Sequence, residues 1–309
     1  MTAQFSDVFA RTYNAETVFG VGDDCAEFIT SAKSSAATNL ISVDTLVENV
    51  HFRLEWSTAE DVARRAVYQN LADIAASGGR CTGIVVSVVV PKHIDHDWIT
   101  RFSRTLAEVA EKEKVAVLGG DLSKGAQLVV TITVLGTTDG AVCTAVRRDG
   151  AVPGDIVAVA GELGCSFLGY KLFSGADVQG KTAAETARAK RIFLAPEPPL
   201  SAGVAAREAG ATAMMDVSDG LLTDCGRIAN ASGVTIMLHA NPDLKTDLDF
   251  ELYYIGGEDH ALLATFPKHA KLPDEFQIIG EVVEKRDAAV VGEDLARVDG
   301  LQKWDHFNV

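Results

Sequence analysis

The sequence is short of positive charge. It has 28 lysines and arginines against 43 aspartates and glutamates, which gives a formal net charge of −15 at pH 7. Because nucleic acids and anionic membranes attract basic surfaces, this balance argues against both as partners. An acidic protein can still bind phosphates if cations accompany them.

Cysteine motifs and long hydrophobic runs are also missing. The five cysteines form no C-x-x-C pair and no cluster with histidine, so neither a zinc site nor a disulfide framework is indicated. No apolar run reaches membrane-spanning length, and the N-terminus has neither the basic flank nor the apolar core of a signal peptide. We therefore expect a cytoplasmic protein with reduced thiols.

Proline is scarce and glycine common, with 8 prolines against 27 glycines, so tight turns are favoured over disordered linkers. The chain of 309 residues is 47% apolar and is long enough for two domains, each with its own core. Both halves mix strand and helix patterns, and a turn rich in glycine, arginine and aspartate lies between them. We predict an N-terminal domain over residues 1–140 and a C-terminal domain over residues 150–309.

The segment 214–234 is the one around which the chain is organised. An apolar run leads to Asp216, Ser218-Asp219-Gly220 interrupts it, and apolar residues then recur at helical spacing, which predicts a strand, a tight turn and a helix. Free backbone N–H groups and the positive end of the helix dipole favour phosphate at such a place, and two carboxylates there could bind it through a cation. The alternative is that Ser218 or Asp219 merely caps the helix.

Carboxylates recur beside small residues at the expected ends of other strands and helices. With the two just named the set is Asp23, Asp24, Asp44, Asp73, Asp121, Asp216, Asp219 and Glu258. Eight such groups cannot converge without cations, because like charges at close range repel or take up protons. Oxygen ligands with a phosphate partner suit Mg²⁺. Since the Walker A spacing is absent, the pattern predicts a magnesium–nucleotide enzyme without a P-loop.

Eight motifs are spread over nearly the whole chain. They are Gly-Val-Gly-Asp-Asp (20–24), Ser-Val-Asp-Thr-Leu-Val-Glu-Asn-Val-His-Phe (42–52), Asn-Leu-Ala-Asp-Ile-Ala-Ala-Ser-Gly (70–78), Gly-Gly-Asp (119–121), Arg-Arg-Asp-Gly-Ala-Val-Pro-Gly-Asp (147–155), Asp-Val-Ser-Asp-Gly-Leu (216–221), Gly-Gly-Glu-Asp (256–259) and Trp-Asp-His-Phe (304–307). In order and spacing they resemble those of the thiamine-monophosphate kinases, which belong to the superfamily of aminoimidazole ribonucleotide synthetase.

The resemblance implies a mixed α/β (α+β) two-domain fold like that of aminoimidazole ribonucleotide synthetase. The strands of an N-terminal αβ domain would pair with those of a second subunit in a β-barrel, giving a homodimer, and ATP would bind between this domain and a C-terminal α/β domain. The implied reaction is transfer of the γ-phosphoryl group of ATP to thiamine monophosphate, assisted by several Mg²⁺ ions. A requirement for K⁺ is left open.

Site residues carry over from the family motifs by position. Matches to magnesium ligands are Asp24, Ser42, Val43, Asp44, Asp73, Asp121, Asp216 and Asp219; matches to nucleotide contacts are Gly120, Asp121, Arg148 and Ser218; matches to substrate contacts are His51, Glu258 and Trp304. Of these, Asp24, Asp219 and Arg148 are the expected catalytic residues. Val43 departs from the usual threonine, so it could bind metal only through its backbone carbonyl.

Two alternatives remain at this point. One is another ATP-using enzyme of the superfamily, such as a selenophosphate synthetase or the hydrogenase-maturation dehydratase. The expected reactive cysteine of the first and the C-terminal cysteine of the second are both missing here. The other alternative is a non-catalytic module in which divalent cations only hold loops together.

Overall fold

The structure is a computed structural model that describes residues 17–19, 23–28 and 38–301. Within these ranges the strands are β1 (Thr17–Phe19), β2 (Ala26–Phe28), β3 (Asn39–Val47), β4 (Arg80–Val90), β5 (Ala116–Lys124), β6 (Val129–Thr137), β7 (Ile156–Ala160), β8 (Ala213–Val217), β9 (Thr235–Leu238), β10 (Ala261–Phe266), β11 (Phe276–Val283) and β12 (Val290–Gly292). The α-helices are α1 (Ala59–Ala76), α2 (His96–Lys112), α3 (Cys165–Phe173), α4 (Ala183–Leu194), α5 (Leu200–Glu208), α6 (Leu221–Ser232) and α7 (Asp247–Ile255), and a 3-10 helix follows at Glu293–Arg297.

The strands form two six-stranded sheets. The first has the order β1-β2-β3-β6-β4-β5, and the second has the order β12-β9-β11-β7-β10-β8. Neighbouring strands are antiparallel, except that β5 is parallel to β4 and β12 is parallel to β9. This arrangement confirms the mixed α/β architecture expected from the sequence. The chain passes from one sheet to the other between residues 137 and 156, and the limits 1–140 and 150–309 stay a prediction.

Helix α1 is the element that joins the two halves. It begins with a capping box, in which Thr58 and Asp61 satisfy each other's backbone N–H groups. It ends where Gly78 adopts φ 72°, a left-handed conformation that suits glycine. One side of the helix packs on β3, β6 and β4, and the other packs on β8 and α5. A Cβ at Gly203 in α5 would lie 2.0 Å from the Ala75 carbonyl oxygen, so this packing requires glycine.

The hydrophobic core of the second half lies around its central strands. Strands β8 and β10 are buried at every residue, as nearly continuous apolar strands covered on both faces should be. This core surrounds β8 and therefore supports the residues at the end of that strand.

Among the described residues, no helix combines the length and hydropathy needed to cross a bilayer.

The structure differs from the sequence-based expectation in three elements. Strand β5 runs on to Lys124, although the apolar run before it stops at Leu118 and Gly119-Gly120-Asp121 is typical of a turn. Strand β9 and helix α7 were not foreseen, because Thr235–Leu238 is only four residues long and Asp247–Ile255 has no clear apolar stripe.

Candidate active site

One wall of the site lies where β3 meets α1. In the described part of the chain β2 pairs with the first three residues of β3, and polar side chains of α1 contact residues further along this strand. Three α1 side chains make these contacts: Asn70 Oδ1 accepts from the Asp44 backbone N–H at 2.9 Å, Gln69 donates to Asp44 Oδ2 at 2.7 Å, and Asp73 Oδ2 accepts from Ser42 Oγ at 2.7 Å. Asp44 and Asp73 are thereby brought together from two elements.

The opposite wall is the turn between β8 and α6. Asp216 lies in β8, with only 4% of the residue exposed, and Asp219 lies in the following turn. The residue that caps α6 is Gly220, at φ 94° and without a side-chain cap, so neither Ser218 nor Asp219 caps this helix. Instead the Asp219 backbone N–H donates to Asp224 Oδ2 at 3.0 Å. The capping interpretation of this turn is therefore wrong.

A third group comes from the loop before β2 and the segment before β7. Arg148 donates to Asp24 Oδ1 at 2.6 Å and to Asp23 Oδ1 at 3.2 Å. Asp23 also accepts the Arg148 backbone N–H at 3.0 Å, so it fixes the arginine main chain while Asp24 contacts only the guanidinium. The two adjacent carboxylates thus make different contacts with Arg148.

Arg227 is a second arginine at this rim that the sequence gave no reason to select. Its guanidinium bridges Asp219 and Asp224, with a distance of 2.6 Å to Asp224 Oδ1. The bridge forms because α6 places Arg227 three residues after Asp224, on the same helix face. Arg148 and Arg227 are electrostatic neighbours, so two positive charges border the carboxylates.

The carboxylates influence one another's charge. Burial raises the pKa of Asp44 and raises those of Asp24 and Asp73 well above their usual range. The charges of Asp44, Asp216 and Asp24 raise the pKa of Asp73 further. Arg148 opposes the rise at Asp24 but does not cancel it. This mutual repulsion shows that Asp24, Asp44, Asp73 and Asp216, far apart in sequence, lie close together. Asp219 borders them, because its charge and that of Asp216 both act on Asp224. We call these five residues, Asp24, Asp44, Asp73, Asp216 and Asp219, the acidic cluster.

The donors of the acidic cluster fit a hard divalent cation such as Mg²⁺. All are oxygens, and Asp24 Oδ2 and Gln69 Oε1 are buried with no hydrogen-bond partner in the part of the chain that is described. Across that same part, no three acidic, histidine or cysteine side chains already stand in a geometry that could enclose an ion. Asp24 and Asp219 face arginines instead, so the arginines occupy the charge-neutralising role that a cation would take.

Three predicted site residues lie apart from these contacts. Asp121 is in the middle of exposed β5, where it accepts from Ser123 Oγ at 2.7 Å. A Cβ at Gly120 would lie 1.9 Å from the Val86 carbonyl oxygen, so packing of β5 on β4 already explains this glycine. Val43 points away from Ser42 and Asp44, onto the other face of β3, and is 56% exposed.

The expectation that the eight carboxylates stand at element ends was wrong for four of them. Asp44 and Asp121 lie inside strands, Asp73 lies inside α1, and Asp216 is the fourth of five residues in β8. The other four occupy turns or loops beside a neighbouring element: Asp219, Glu258, and Asp23 and Asp24 before β2. Strand interiors can carry these carboxylates because each has a hydrogen-bond partner: Asp44 accepts from Gln69 of α1, Asp121 from Ser123, and Asp216 lies 2.8 Å from His260 Nδ1.

The three predicted substrate contacts lie in different parts of the chain and stay predictions. Glu258 is 5% exposed and forms a buried ion pair with Arg65 of α1, a partner that the sequence did not suggest. His51 lies in the turn after β3, where its Nδ1 accepts from the Val47 backbone N–H at 2.9 Å. Trp304 lies outside the described residues. His260 was also missed, and the one available signal was its place directly after Gly-Gly-Glu-Asp.

Stability should depend on pH through these carboxylates. Burial raises the pKa of Asp224 and of Asp259 to about 7 each, and those of Asp24, Asp44 and Asp73 rise too. Unfolded aspartate has a pKa near 3.9, so between about pH 4 and pH 7 the folded chain holds more protons than the unfolded chain, and stability falls as pH rises.

We therefore predict that the unfolding free energy of the metal-free protein falls by at least about 2 kcal/mol from roughly pH 6 to pH 7, with about 1 kcal/mol each from Asp224 and Asp259. Urea denaturation in the presence of a chelator, followed by circular dichroism, measures it. Asp224→Asn should reduce the fall by about 1 kcal/mol, because its side chain no longer titrates. A free energy that stays constant or increases across this range contradicts the assigned burial.

Two family models match the chain. The N-terminal domain of AIR synthase related protein matches residues 22–138, and the C-terminal domain of AIR synthase related protein matches residues 152–293. Together they include every carboxylate of the acidic cluster.

Individual proteins are similar over most of their length. The thiamine-monophosphate kinase of Mycobacterium tuberculosis (strain CDC 1551 / Oshkosh) is 37% identical over 315 residues, which covers 97% of this chain and 89% of that protein. The thiamine-monophosphate kinase of Bacillus subtilis (strain 168) is 36% identical over 265 residues, or 82% and 80% of the two chains. The solved structure of AaThiL complexed with AMPPCP and TMP has a TM-score of 0.77 at 27% identity and covers 98% of this chain and 96% of its own.

Proposed function

The chain belongs to the thiamine-monophosphate kinases, within the AIR synthase related proteins, and from this membership we propose how its residues carry out the reaction. The enzyme uses ATP to phosphorylate thiamine monophosphate, which gives thiamine diphosphate. The observation that carries the assignment to this site is the convergence of carboxylates from both halves of the chain beside α1.

The acidic cluster is the proposed magnesium site. The residues that would hold the ions are Asp24, Asp44, Asp73, Asp216 and Asp219, with the Ser42 hydroxyl as a further oxygen donor. Bound magnesium supplies neutralisation of phosphate oxygens during phosphoryl transfer. Asp121 and the Val43 carbonyl stay predictions, because the described contacts of these residues lie elsewhere.

Arginines supply the second part of the proposed chemistry. Arg148 and Arg227 border the acidic cluster and now neutralise Asp24 and Asp219. If those carboxylates bound a cation instead, both guanidiniums would be free to contact the phosphates of ATP. The fork of N–H donors on a guanidinium suits phosphate oxygens. Gly120 and Ser218 remain the other proposed nucleotide contacts.

We propose direct transfer from ATP to the substrate phosphate. That phosphate is already an anion, so no side chain has to remove a proton from it. The barrier is instead repulsion between two phosphate groups, which fixed positive charge and correct positioning lower. His51, Glu258 and Trp304 are the proposed contacts to the organic part of the substrate, and its cationic thiazolium ring suits an acidic cleft.

The test is a product assay. Purified protein with ATP, Mg²⁺ and thiamine monophosphate should yield thiamine diphosphate and ADP in equal amounts, measured by chromatography. Omission of the acceptor should leave ATP intact. ATP hydrolysis without thiamine diphosphate would instead support another ATP-using enzyme of the superfamily, and an unchanged mixture would support a non-catalytic cation-binding module.

The uncovered face of the first sheet supports the proposed homodimer. Helices α1 and α2 cover one face, while the other exposes Val43 and Val85 at its centre and Leu118 near its edge. Among the described strands, β5 also leaves an unpaired edge. An exposed apolar face beside a free strand edge is typical of a surface that pairs with another chain. A second copy that adds its own sheet would cover both.

We predict that Val85→Lys weakens this dimer. A lysine at the centre of an apolar interface would bury a charge without a partner, so the dissociation constant should rise by at least about 100-fold. Sedimentation velocity measures the change. Val152→Lys is the control, because Val152 is also an exposed valine, in the turn before β7. A Val85→Lys protein that sediments like the unaltered dimer contradicts the proposal.

A further inference from the structure

The loop at residues 256–260 ties three elements to one another. Glu258 pairs with Arg65 of α1, and the Asp259 carboxylate accepts the backbone N–H groups of Gly164 and Ser166 at the start of α3, at 2.6 and 2.8 Å. His260 Nδ1 lies 2.8 Å from Asp216 Oδ2. Three consecutive side chains therefore contact three different elements, α1, the start of α3 and β8. The histidine is the one that contacts the acidic cluster.

The backbone of this loop is shaped to aim those side chains. Glu258 and His260 have φ values of 68° and 53°, in the left-handed region that residues other than glycine seldom adopt. Their N–H groups donate to the Ser218 and Val217 carbonyl oxygens at 2.8 and 3.0 Å, which holds the loop against the end of β8. Strained backbone of this kind persists where the surrounding structure requires a particular side-chain direction.

The His260 imidazole is buried at a cost in stability. The residue is 4% exposed, and its Nε2 has no hydrogen-bond partner in the described part of the chain. A buried nitrogen without a partner destabilises a fold, and an apolar side chain would fill the same space without that penalty. The imidazole is therefore retained for its one bond, in which Nδ1–H donates to the Asp216 carboxylate.

We propose that His260 is a positioning residue for the kinase reaction, and that its Nδ1–H bond fixes the Asp216 carboxylate with its other oxygen toward the acidic cluster. The proposal rests on the magnesium site assigned above. Hydrogen bonds from neighbouring groups orient the carboxylates that bind metals, and loss of such a bond weakens metal binding by about 10- to 100-fold.

Three substitutions separate the contributions of the two imidazole nitrogens from that of the left-handed backbone. The amide nitrogen of His260→Asn can take the place of Nδ1 and that of His260→Gln the place of Nε2, while His260→Gly accepts the left-handed backbone without any side chain. The probe is Mn²⁺ alone, added to the nucleotide-free protein and followed by electron paramagnetic resonance. Steady-state kinetics and thermal unfolding of each variant complete the set.

The proposal predicts that His260→Asn binds Mn²⁺ within about threefold of the unaltered protein, while His260→Gln and His260→Gly bind about 10- to 100-fold more weakly and lose kcat to a similar degree. KM for thiamine monophosphate should change little, since the bond acts on Asp216. Rescue by asparagine but not by glycine shows that the donor, not the backbone, is what matters.

Other outcomes overturn it. If glutamine restores binding and asparagine does not, Nε2 makes the important contact. If all three variants bind Mn²⁺ normally, or all three lose binding in proportion to a lower Tm, His260 has only a packing role. An unaltered protein that binds Mn²⁺ but makes no thiamine diphosphate would remove the kinase assignment while leaving this comparison readable.

Discussion

Asp73→Asn should lower kcat by about 100- to 1,000-fold and at the same time make the metal-free protein more stable. Asp73 is held by the Ser42 hydroxyl and repelled by Asp44, Asp216 and Asp24, so its pKa is raised well above the usual range. Asparagine keeps an oxygen that can accept from Ser42 but removes the charge. The gain should be about 1 kcal/mol, or roughly 2 °C in Tm for a chain of this length.

The opposite signs of the effects on kcat and on stability distinguish a functional charge from a structural one. A residue that only supports the fold loses activity together with stability when it is changed, whereas a charge kept for function does not. Steady-state kinetics and calorimetry in a chelator measure the two effects. Asp177→Asn, which removes an exposed carboxylate and alters net charge equally, should change neither. A lower Tm for Asp73→Asn, or near-normal kcat, would take Asp73 out of the proposed site.

Arg65→Met should destabilise the protein by about 3–5 kcal/mol, the largest stability effect that we expect from a single substitution. The side chains of Arg65 and Glu258 are only 4% and 6% exposed, so methionine would leave a buried carboxylate without its partner. Arg65 also donates to the Phe193 carbonyl oxygen at 3.2 Å and packs over the Phe193 ring. It thereby joins α1 to both α4 and the loop before β10.

A double-mutant cycle separates the charge from the packing. Arg65→Met combined with Glu258→Gln should recover at least about half of the loss, because no unpaired charge then remains buried. Arg188→Met is the control, since Arg188 and Glu162 are both about half exposed and such surface pairs contribute about 1 kcal/mol or less. Urea denaturation gives the unfolding free energies of the four proteins in the cycle: the unaltered protein, Arg65→Met, Glu258→Gln and the double variant. If the double variant is as unstable as Arg65→Met, the buried charge is not the cause.

The local strand-turn-helix at the centre of the site could be predicted from the sequence. The apolar run before Asp216 and the helical spacing after Gly220 correspond to β8 and α6. The limits of α1 are also visible in the sequence, since apolar residues recur at helical spacing from Ala59 to Ala76 and two glycines follow at 78 and 79. These features depend on residues close together in the chain, where periodicity and turn preferences decide the structure.

Pairs that are distant in sequence could not be predicted in this way. Arg65 and Glu258 are 193 residues apart, and neither periodicity nor local charge indicates that they meet. The same is true of the bond between His260 and Asp216. Strand β5 was predicted too short because its Gly-Gly-Asp looks like a turn, although pairing with β4 keeps it extended. In each case tertiary contacts override the local signal.

Anomalous diffraction from crystals grown with Mn²⁺, a non-hydrolysable ATP analogue and thiamine monophosphate tests directly whether the acidic cluster binds the metal. We expect manganese peaks bounded by Asp44, Asp73 and Asp216 and by the phosphates, with Asp24 or Asp219 turned from its arginine toward the metal. Manganese confined to other carboxylates, with Asp24 and Asp219 still paired to Arg148 and Arg227, would contradict this expectation.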